Sequence, residues 1–222
     1  MDQKMIKSND IVLFQGDSIT DCRRDRENAQ GANDLHGLGA GYAKLVAAEI
    51  LSDRPEAGLQ FLNRGIGGNR SVDLYARIKS DFINLNPNVV SILIGVNDTW
   101  LEKRGGNGVS VLKYERLFLD LLTEIREALP AVRFVLCDPF VLPCGVVTED
   151  WIPEVGERRE VVAKLAWDFQ AVHVPFQADF DKAMEKAPPA YWAHDGVHPT
   201  AAGHMIMAKS WLRHVCGNVN LP

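Results

Sequence analysis

Residues 11–20 read IVLFQGDSIT, and this stretch indicates the fold more strongly than any other part of the chain. Its first four residues are apolar and suit a buried strand, and Gly16, Asp17 and Ser18 then interrupt the run as turn residues do. Parallel sheets bind ligands at the carboxyl ends of their strands. The stretch therefore predicts a first strand over 11–14 and a candidate site in the turn that follows it.

Four further apolar runs are bounded in the same way by Gly, Pro, Asp or Asn, and apolar residues between the runs recur with helical spacing. This alternation predicts an α/β sandwich with a mainly parallel, five-stranded sheet, and the length suits one domain over residues 1–222. The predicted strands are 11–14, 59–62, 89–94, 132–136 and 171–174, and the predicted helices lie around 42–50, 72–82, 117–129, 161–169 and 205–215.

The composition argues against several classes of partner. The 222 residues carry a net charge of -5 and no dense cluster of Lys and Arg, which argues against nucleic acid. The N-terminus lacks the apolar run of a signal peptide and no later segment suits a membrane span, so we expect a cytoplasmic protein with no membrane partner. The four cysteines show neither a CxxC pair nor a zinc spacing, which predicts free thiols.

Ser18 is the first candidate for chemistry. Backbone N–H groups and the helix dipole at the start of a helix favour negative charge, which suits a nucleophile whose attack creates an oxyanion. A helix cap formed by Asp17 or Ser18 explains the same residues equally well. Position 20 is Thr, so the Gly-x-Ser-x-Gly turn of the α/β-hydrolases is absent.

Three further loops carry groups that a hydrolase needs. Asp195 and His198 are three residues apart, so the carboxylate can orient the imidazole, although a surface turn is the alternative. Gly68 follows the second predicted strand and lets a backbone N–H approach a bound group; a tight turn is the alternative, and Arg70 breaks a dinucleotide fingerprint. Asn97 follows the third strand, where its amide can donate to an oxyanion or form an Asx turn.

Together these loops resemble the blocks of the SGNH (GDSL-like) hydrolase superfamily in order and content. Within the superfamily, the stretches 16–22, 64–74, 94–100 and 197–205 are most similar to the intracellular acetyl xylan esterases. The resemblance implies a three-layer, flavodoxin-like α/β/α sandwich and a carboxylic ester hydrolase. The four matching blocks are Gly16-Asp17-Ser18, the Gly68 loop, Gly95-Val96-Asn97-Asp98 and Asp195-Gly196-Val197-His198-Pro199.

The resemblance also implies a role for each residue. Ser18 is the expected nucleophile, His198 the expected base, and Asp195 the carboxylate that orients His198. The N–H groups of Ser18 and Gly68 and the side chain of Asn97 are expected to form the oxyanion hole. No metal and no organic cofactor are expected.

The substrate implied by the resemblance is a small-acyl ester, in particular an acetyl ester of a sugar or xylo-oligosaccharide. A homo-oligomer is compatible with the resemblance. A lysophospholipase or thioesterase with the same chemistry and a non-catalytic carbohydrate-binding protein are alternatives. A metal-dependent hydrolase that uses Asp17, Asp98, Asp195 and His198 is a further alternative, although these carboxylates are scattered in the sequence.

Parts of the chain outside the matching blocks are candidates for the substrate pockets. The stretches 30–38 and 141–157 match no block and are expected to shape the acyl and alcohol pockets. Trp192 and His194 precede the Asp-His pair and can line the mouth of the site. Trp100 can contact the substrate or pack against its neighbours.

Overall fold

A computed structural model of the chain describes residues 5–217. Within these residues, five strands form one sheet in the order β2-β1-β3-β4-β5, and every pair of neighbours is parallel. All five predicted strands are present, each within two residues of its predicted bounds, and the prediction of a mainly parallel sheet is confirmed. The strands are β1 (Ile11–Gly16), β2 (Gln60–Asn63), β3 (Val89–Leu93), β4 (Arg133–Cys137) and β5 (Val172–Val174).

Helices cover both faces of this sheet, which gives the expected three-layer sandwich. Val12 and Phe14 of β1 belong to the core on one face, whereas Leu13 belongs to the core on the other. Because both faces are buried, the strands read as continuous apolar runs and not as alternating ones. The helices are α1 (Ser18–Asp21), α2 (Leu35–Leu38), α3 (Tyr42–Asp53), α4 (Ser71–Ala76), α5 (Ile78–Asp81), α6 (Val96–Gly105), α7 (Val111–Ala128), α8 (Trp151–Asp168), α9 (Phe176–Met184), α10 (Pro189–Trp192) and α11 (Ala201–Cys216).

The helix predicted over 72–82 is wrong as a single element. Arg77 separates α4 from α5. Its side chain makes hydrogen bonds to the preceding glycine-rich loop, residues 64–69. Its Nε donates to Asn69 Oδ1 at 2.9 Å, and its Nη1 donates to the carbonyl oxygen of Arg64 at 3.0 Å. The helical spacing continues across the break because Leu74 of α4 and Ile78 of α5 are buried in the same core.

The strand order sets the location of the site. β1 lies between β2 and β3, so the chain passes from β1 to one side of the sheet at β2 and then to the other side at β3. The loops after β1 and β3 therefore open a crevice at the carboxyl edge, where ligands bind in such sheets. Helix α11 packs against α3 and α9, and it carries the loop of residues 193–200 to the same edge.

Two further expectations concern the cysteines and the membrane. Cys22, Cys137, Cys144 and Cys216 are free thiols, as their spacing predicts. None of the helices within residues 5–217 is long and apolar enough to cross a membrane.

Candidate active site

Ser18 is the first residue of α1, directly after the carboxyl end of β1. Asp17 caps this single helical turn, because its Oδ1 accepts the backbone N–H of Ile19 at 3.0 Å. Gly16 lies so close to Thr20 and to the carbonyl oxygen of Leu93 that a Cβ would collide with both. Asp17 therefore caps the helix and Ser18 presents its side chain at the same turn. The turn can serve both as a helix cap and as the position of a nucleophile.

His198 and Asp195 meet Ser18 from the loop before α11. The Oγ of Ser18 is 2.9 Å from Nε2 of His198, and Nδ1 of His198 is 2.7 Å from Oδ2 of Asp195. The other carboxylate oxygen, Oδ1, accepts the backbone N–H groups of Val197 at 2.9 Å and of His198 at 2.7 Å. Three residues that the sequence singles out thus form one hydrogen-bonded series.

The surroundings of Asp195 keep this carboxyl ionised. Partial burial raises its pKa, but hydrogen bonds from the His198 side chain and from the backbone N–H groups of His198 and Val197 outweigh that effect and hold the pKa below its usual value. An ionised Asp195 accepts the Nδ1–H of His198. The neutral tautomer that results leaves Nε2 free to accept the Ser18 proton.

Each of the three donors predicted to form an oxyanion hole has an N–H that is free to donate to a ligand. Ser18 opens helix α1, so its N–H has no partner within the helix. Gly68 adopts a left-handed φ of 81°, and among residues 5–217 its N–H meets no acceptor. Asn97 is 7% exposed, and one proton of its Nδ2 is donated to the carbonyl oxygen of Asn69 at 3.0 Å, which leaves the other for a ligand.

Buried carboxyls lie behind these groups. Burial raises the pKa of Asp17 to about 7 and that of Asp98 to about 6. Both oxygens of Asp98 accept from Ser71, and the Ser71 hydroxyl donates to Oδ1 at 2.5 Å. Within residues 5–217, no three His, Cys, Asp or Glu side chains are grouped as a metal site requires. Asp17 and Asp98 therefore serve the backbone around the site and do not converge with Asp195.

Two tryptophans and a histidine flank the series. The Trp100 ring lies 5.6 Å, centroid to centroid, from the His198 ring and also 5.6 Å from the Trp151 ring. His194 is exposed and lines the cavity in front of Ser18. Trp192 is buried, and its Nε1–H donates to the carbonyl oxygen of Ala187 at 3.1 Å. The suggestion that Trp192 lines the mouth is therefore wrong, because its polar edge is turned into the protein.

Residues 142–147, here called the 142–147 segment, make contacts with the Asp195 loop that the sequence does not predict. Its backbone N–H groups at Leu142 and Val146 donate to the carbonyl oxygens of Gly196 at 2.8 Å and Asp195 at 3.0 Å. Gly145 has a φ of 62° and packs directly on Asp195, where a Cβ would lie 2.5 Å from the Asp195 carbonyl carbon and oxygen. The segment thus holds the backbone of Asp195. The Pro-Cys-Gly turn that ends at Gly145 is the only feature of the sequence that indicates a tight turn there.

His204 lies beside the cavity on α11. Its Nδ1 accepts the backbone N–H of Tyr42 at 3.2 Å, so Nε2 carries the proton and faces Cys22 Sγ at 3.3 Å. Burial lowers the pKa of His204 to about 4, with a further contribution from the charge of His198. His204 is therefore a neutral, hydrogen-bonded support for the turn at Cys22.

Comparisons with known proteins identify the family of the chain. The profile of the GDSL-like Lipase/Acylhydrolase family matches residues 14–206. The acetylxylan esterase of Geobacillus stearothermophilus is 35% identical over 216 residues, which cover 95% of each chain. Its crystal structure superposes with a TM-score of 0.86 over 95% of this chain and 96% of that one. A GDSL-like lipase structure from Parabacteroides merdae ATCC 43184 superposes with a TM-score of 0.92 at 40% identity, over 96% and 98% of the two chains.

Proposed function

Because the chain belongs to the GDSL-like lipase/acylhydrolase family, we propose that it removes acetyl groups from sugars or xylo-oligosaccharides through an acyl-enzyme on Ser18. It is a carboxylic ester hydrolase, and the substrate and the serine mechanism are the specific parts of the proposal. The observation that carries the mechanism is the series Ser18–His198–Asp195, with distances of 2.9 and 2.7 Å.

The first half of the reaction acylates the serine. The Oγ of Ser18 attacks the ester carbonyl carbon while Nε2 of His198 takes the hydroxyl proton. Asp195 stabilises the imidazolium that forms, because its Oδ2 accepts the Nδ1–H. When the tetrahedral intermediate collapses, the carbon–oxygen bond to the alcohol breaks and His198 gives its proton to the departing alcohol.

The oxyanion hole lowers the barrier of both halves. The N–H groups of Ser18 and Gly68 and the free Nδ2 proton of Asn97 receive the charge that develops on the carbonyl oxygen. The bond from Asn97 to the carbonyl of Asn69 fixes the amide before substrate arrives, so little reorganisation is needed. Each such donor lowers the barrier by about 3 kcal/mol.

The second half releases the acid. A water molecule attacks the acyl carbon and gives a proton to Nε2 of His198. The bond between the carbon and the Ser18 Oγ then breaks, and the proton returns to Oγ. Acetic acid, which then ionises in water, and free enzyme result, so acylation and deacylation require the same residues with the roles reversed.

The acetyl-saccharide part of the proposal is supported by the 35% identity with an acetylxylan esterase over 95% of the chain. It is also supported by the cavity in front of Ser18, which has a volume of about 630 Å³ and suits a small oligosaccharide.

The test is hydrolysis of p-nitrophenyl acetate, butyrate and octanoate by the wild type, by Ser18→Ala and by Ser52→Ala. Ser52 is an exposed serine of α3 whose hydroxyl donates to the carbonyl oxygen of Glu49. We expect acetate to be hydrolysed fastest, Ser18→Ala to lose more than about 10³-fold in kcat, and Ser52→Ala to match the wild type.

Each other outcome contradicts a separate part of the proposal. A preference for octanoate would refute the acetyl assignment and favour a lysophospholipase or thioesterase. Equal rates for wild type and Ser18→Ala would refute the serine mechanism. An absence of turnover on every ester, with binding of xylo-oligosaccharides retained, would favour the carbohydrate-binding alternative.

A further inference from the structure

The cavity in front of Ser18 has a positively charged wall, although the chain as a whole has a net charge of -5. Ser18 and His198 line the cavity together with residues of the turn at 21–26. Arg23, Arg24, Arg26 and one carboxylate of the turn, Asp21, line the cavity, whereas the second carboxylate, Asp25, does not. The charges of the turn therefore sum to an excess of cations beside the nucleophile.

Asp21 is fully used by its neighbours. Its Oδ2 accepts the N–H of Gly67 at 3.0 Å and pairs with Nη2 of Arg26 at 2.7 Å, and its Oδ1 accepts the backbone N–H of Arg24 at 3.2 Å. Arg24 is buried, and its Nε donates to the carbonyl oxygen of Gly65 at 2.7 Å. Arg24 and Asp21 thus hold the turn against the glycine-rich loop.

Arg23 and Arg26 remain open to the cavity. The Arg26 side chain is 49% exposed, and its pair with Asp21 occupies only one of the guanidinium nitrogens. Arg23 is exposed, and within residues 5–217 no carboxylate lies at salt-bridge distance from it. The nearby Asp25 carboxylate is engaged with Asn28 and Glu27.

The backbone holds Arg23 in an unusual conformation. Cys22 and Arg23 have φ values of 38° and 62°, so two successive residues that are not glycine adopt the left-handed region. Such residues are uncommon and concentrate at ligand sites. The Cys22 carbonyl oxygen accepts the N–H of Ala40 at 2.8 Å, which fixes this conformation. The strained turn thereby directs an unpaired guanidinium to the cavity.

We propose that this cavity selects esters of saccharides that carry a carboxylate, such as a uronic acid, and that Arg23 and Arg26 bind that carboxylate. A guanidinium matches a carboxylate with two parallel hydrogen bonds, which a neutral sugar cannot provide. The inference rests on the proposed function, because the saccharide ester brings the carboxylate to the cavity. A phosphate on the sugar shares the same anionic chemistry, so the experiment must separate the two.

The experiment compares kcat/KM for acetylated methyl glucuronoside and acetylated methyl glucoside, which differ only in the carboxylate or hydroxymethyl group at C6. We expect the wild type to prefer the acid about tenfold at low ionic strength. The preference should shrink as salt rises from about 0.02 M to about 0.5 M. Arg23→Gln should lose most of the preference and Arg23→Lys should keep part of it. The matched control is Arg104→Gln, an exposed arginine at the end of α6.

The outcomes separate this inference from the proposed function. If neither ester is hydrolysed, the proposed function fails. If both are hydrolysed with equal kcat/KM, or if Arg23→Gln keeps the wild-type ratio, the carboxylate inference alone is overturned. A stronger preference for acetylated glucose 6-phosphate than for the glucuronoside would overturn the carboxylate assignment and identify a phosphate site.

Discussion

Substitution of Gly145 by Ala should separate fold stability from the positioning of Asp195. Gly145 and Gly106 have nearly the same left-handed φ, 62° and 63°. A Cβ at Gly106 would meet nothing within 4 Å, whereas a Cβ at Gly145 would lie 2.5 Å from two backbone atoms of Asp195. The two variants therefore share the cost of a left-handed alanine and differ only in the collision with Asp195.

The magnitude follows from these contacts. A left-handed alanine costs about 1 kcal/mol, so Gly106→Ala should lower Tm by roughly 2–4 °C. Ordinary van der Waals contact begins at 3.4 Å, so the Gly145→Ala methyl must displace the Asp195 backbone by about 1 Å. A misplacement of this size at a catalytic group lowers kcat about a hundredfold, and the added packing strain should lower Tm by roughly 5–15 °C.

The assay is steady-state hydrolysis of p-nitrophenyl acetate well below both melting temperatures, with Tm measured on the same samples. We expect Gly145→Ala to lose kcat with little change in KM, and Gly106→Ala to keep the wild-type kcat. If Gly145→Ala keeps a kcat within about twofold of Gly106→Ala, the 142–147 segment does not position Asp195 and the reasoning is refuted.

Three further predictions concern the same edge of the sheet. Asn97→Ala should lower kcat about 10²–10³-fold with KM nearly unchanged, since it removes one oxyanion donor, and single-turnover kinetics would show the slower acylation. Trp100→Leu should lower kcat about two- to tenfold by loosening the His198 ring, while Trp167→Leu, at an 86% exposed position of α8, should not. The pKa of His204 is lowered from 6.5 to about 4, so the folded protein binds fewer protons than the unfolded chain and loses about 3 kcal/mol of stability as pH falls from 6.5 to 4. His204→Gln should remove that loss from the pH dependence of urea unfolding, and an unchanged dependence would contradict the burial argument.

The strands and the residues of the series are predictable because each leaves a local signal. A buried strand is a short apolar run between turn residues. Ser18 follows the first such run, and Asp195 and His198 lie three residues apart before the last helix. The 142–147 segment leaves almost no signal, because it holds Asp195 through backbone hydrogen bonds that any residue can make. The break at Arg77 is hidden for a related reason, since the apolar spacing persists across it. The orientation of Trp192 depends on a hydrogen bond to the carbonyl oxygen of Ala187, which the spacing of apolar residues does not reveal.

The Ser18–His198 contact joins residues 180 positions apart, and this separation has a consequence for biosynthesis. A ribosome that adds roughly 5–20 residues per second needs about 10–40 s to pass from the serine to the histidine. All five strands are synthesised before that interval ends, yet on the proposed mechanism Ser18 has no base to activate it until then. On that mechanism, hydrolysis begins only after α11 has folded and Trp211 has reached Phe14 and the Ser91 hydroxyl of the sheet. We therefore expect the nascent chain to be catalytically silent, and any translation product that ends before His198 to be inert toward the esters around it.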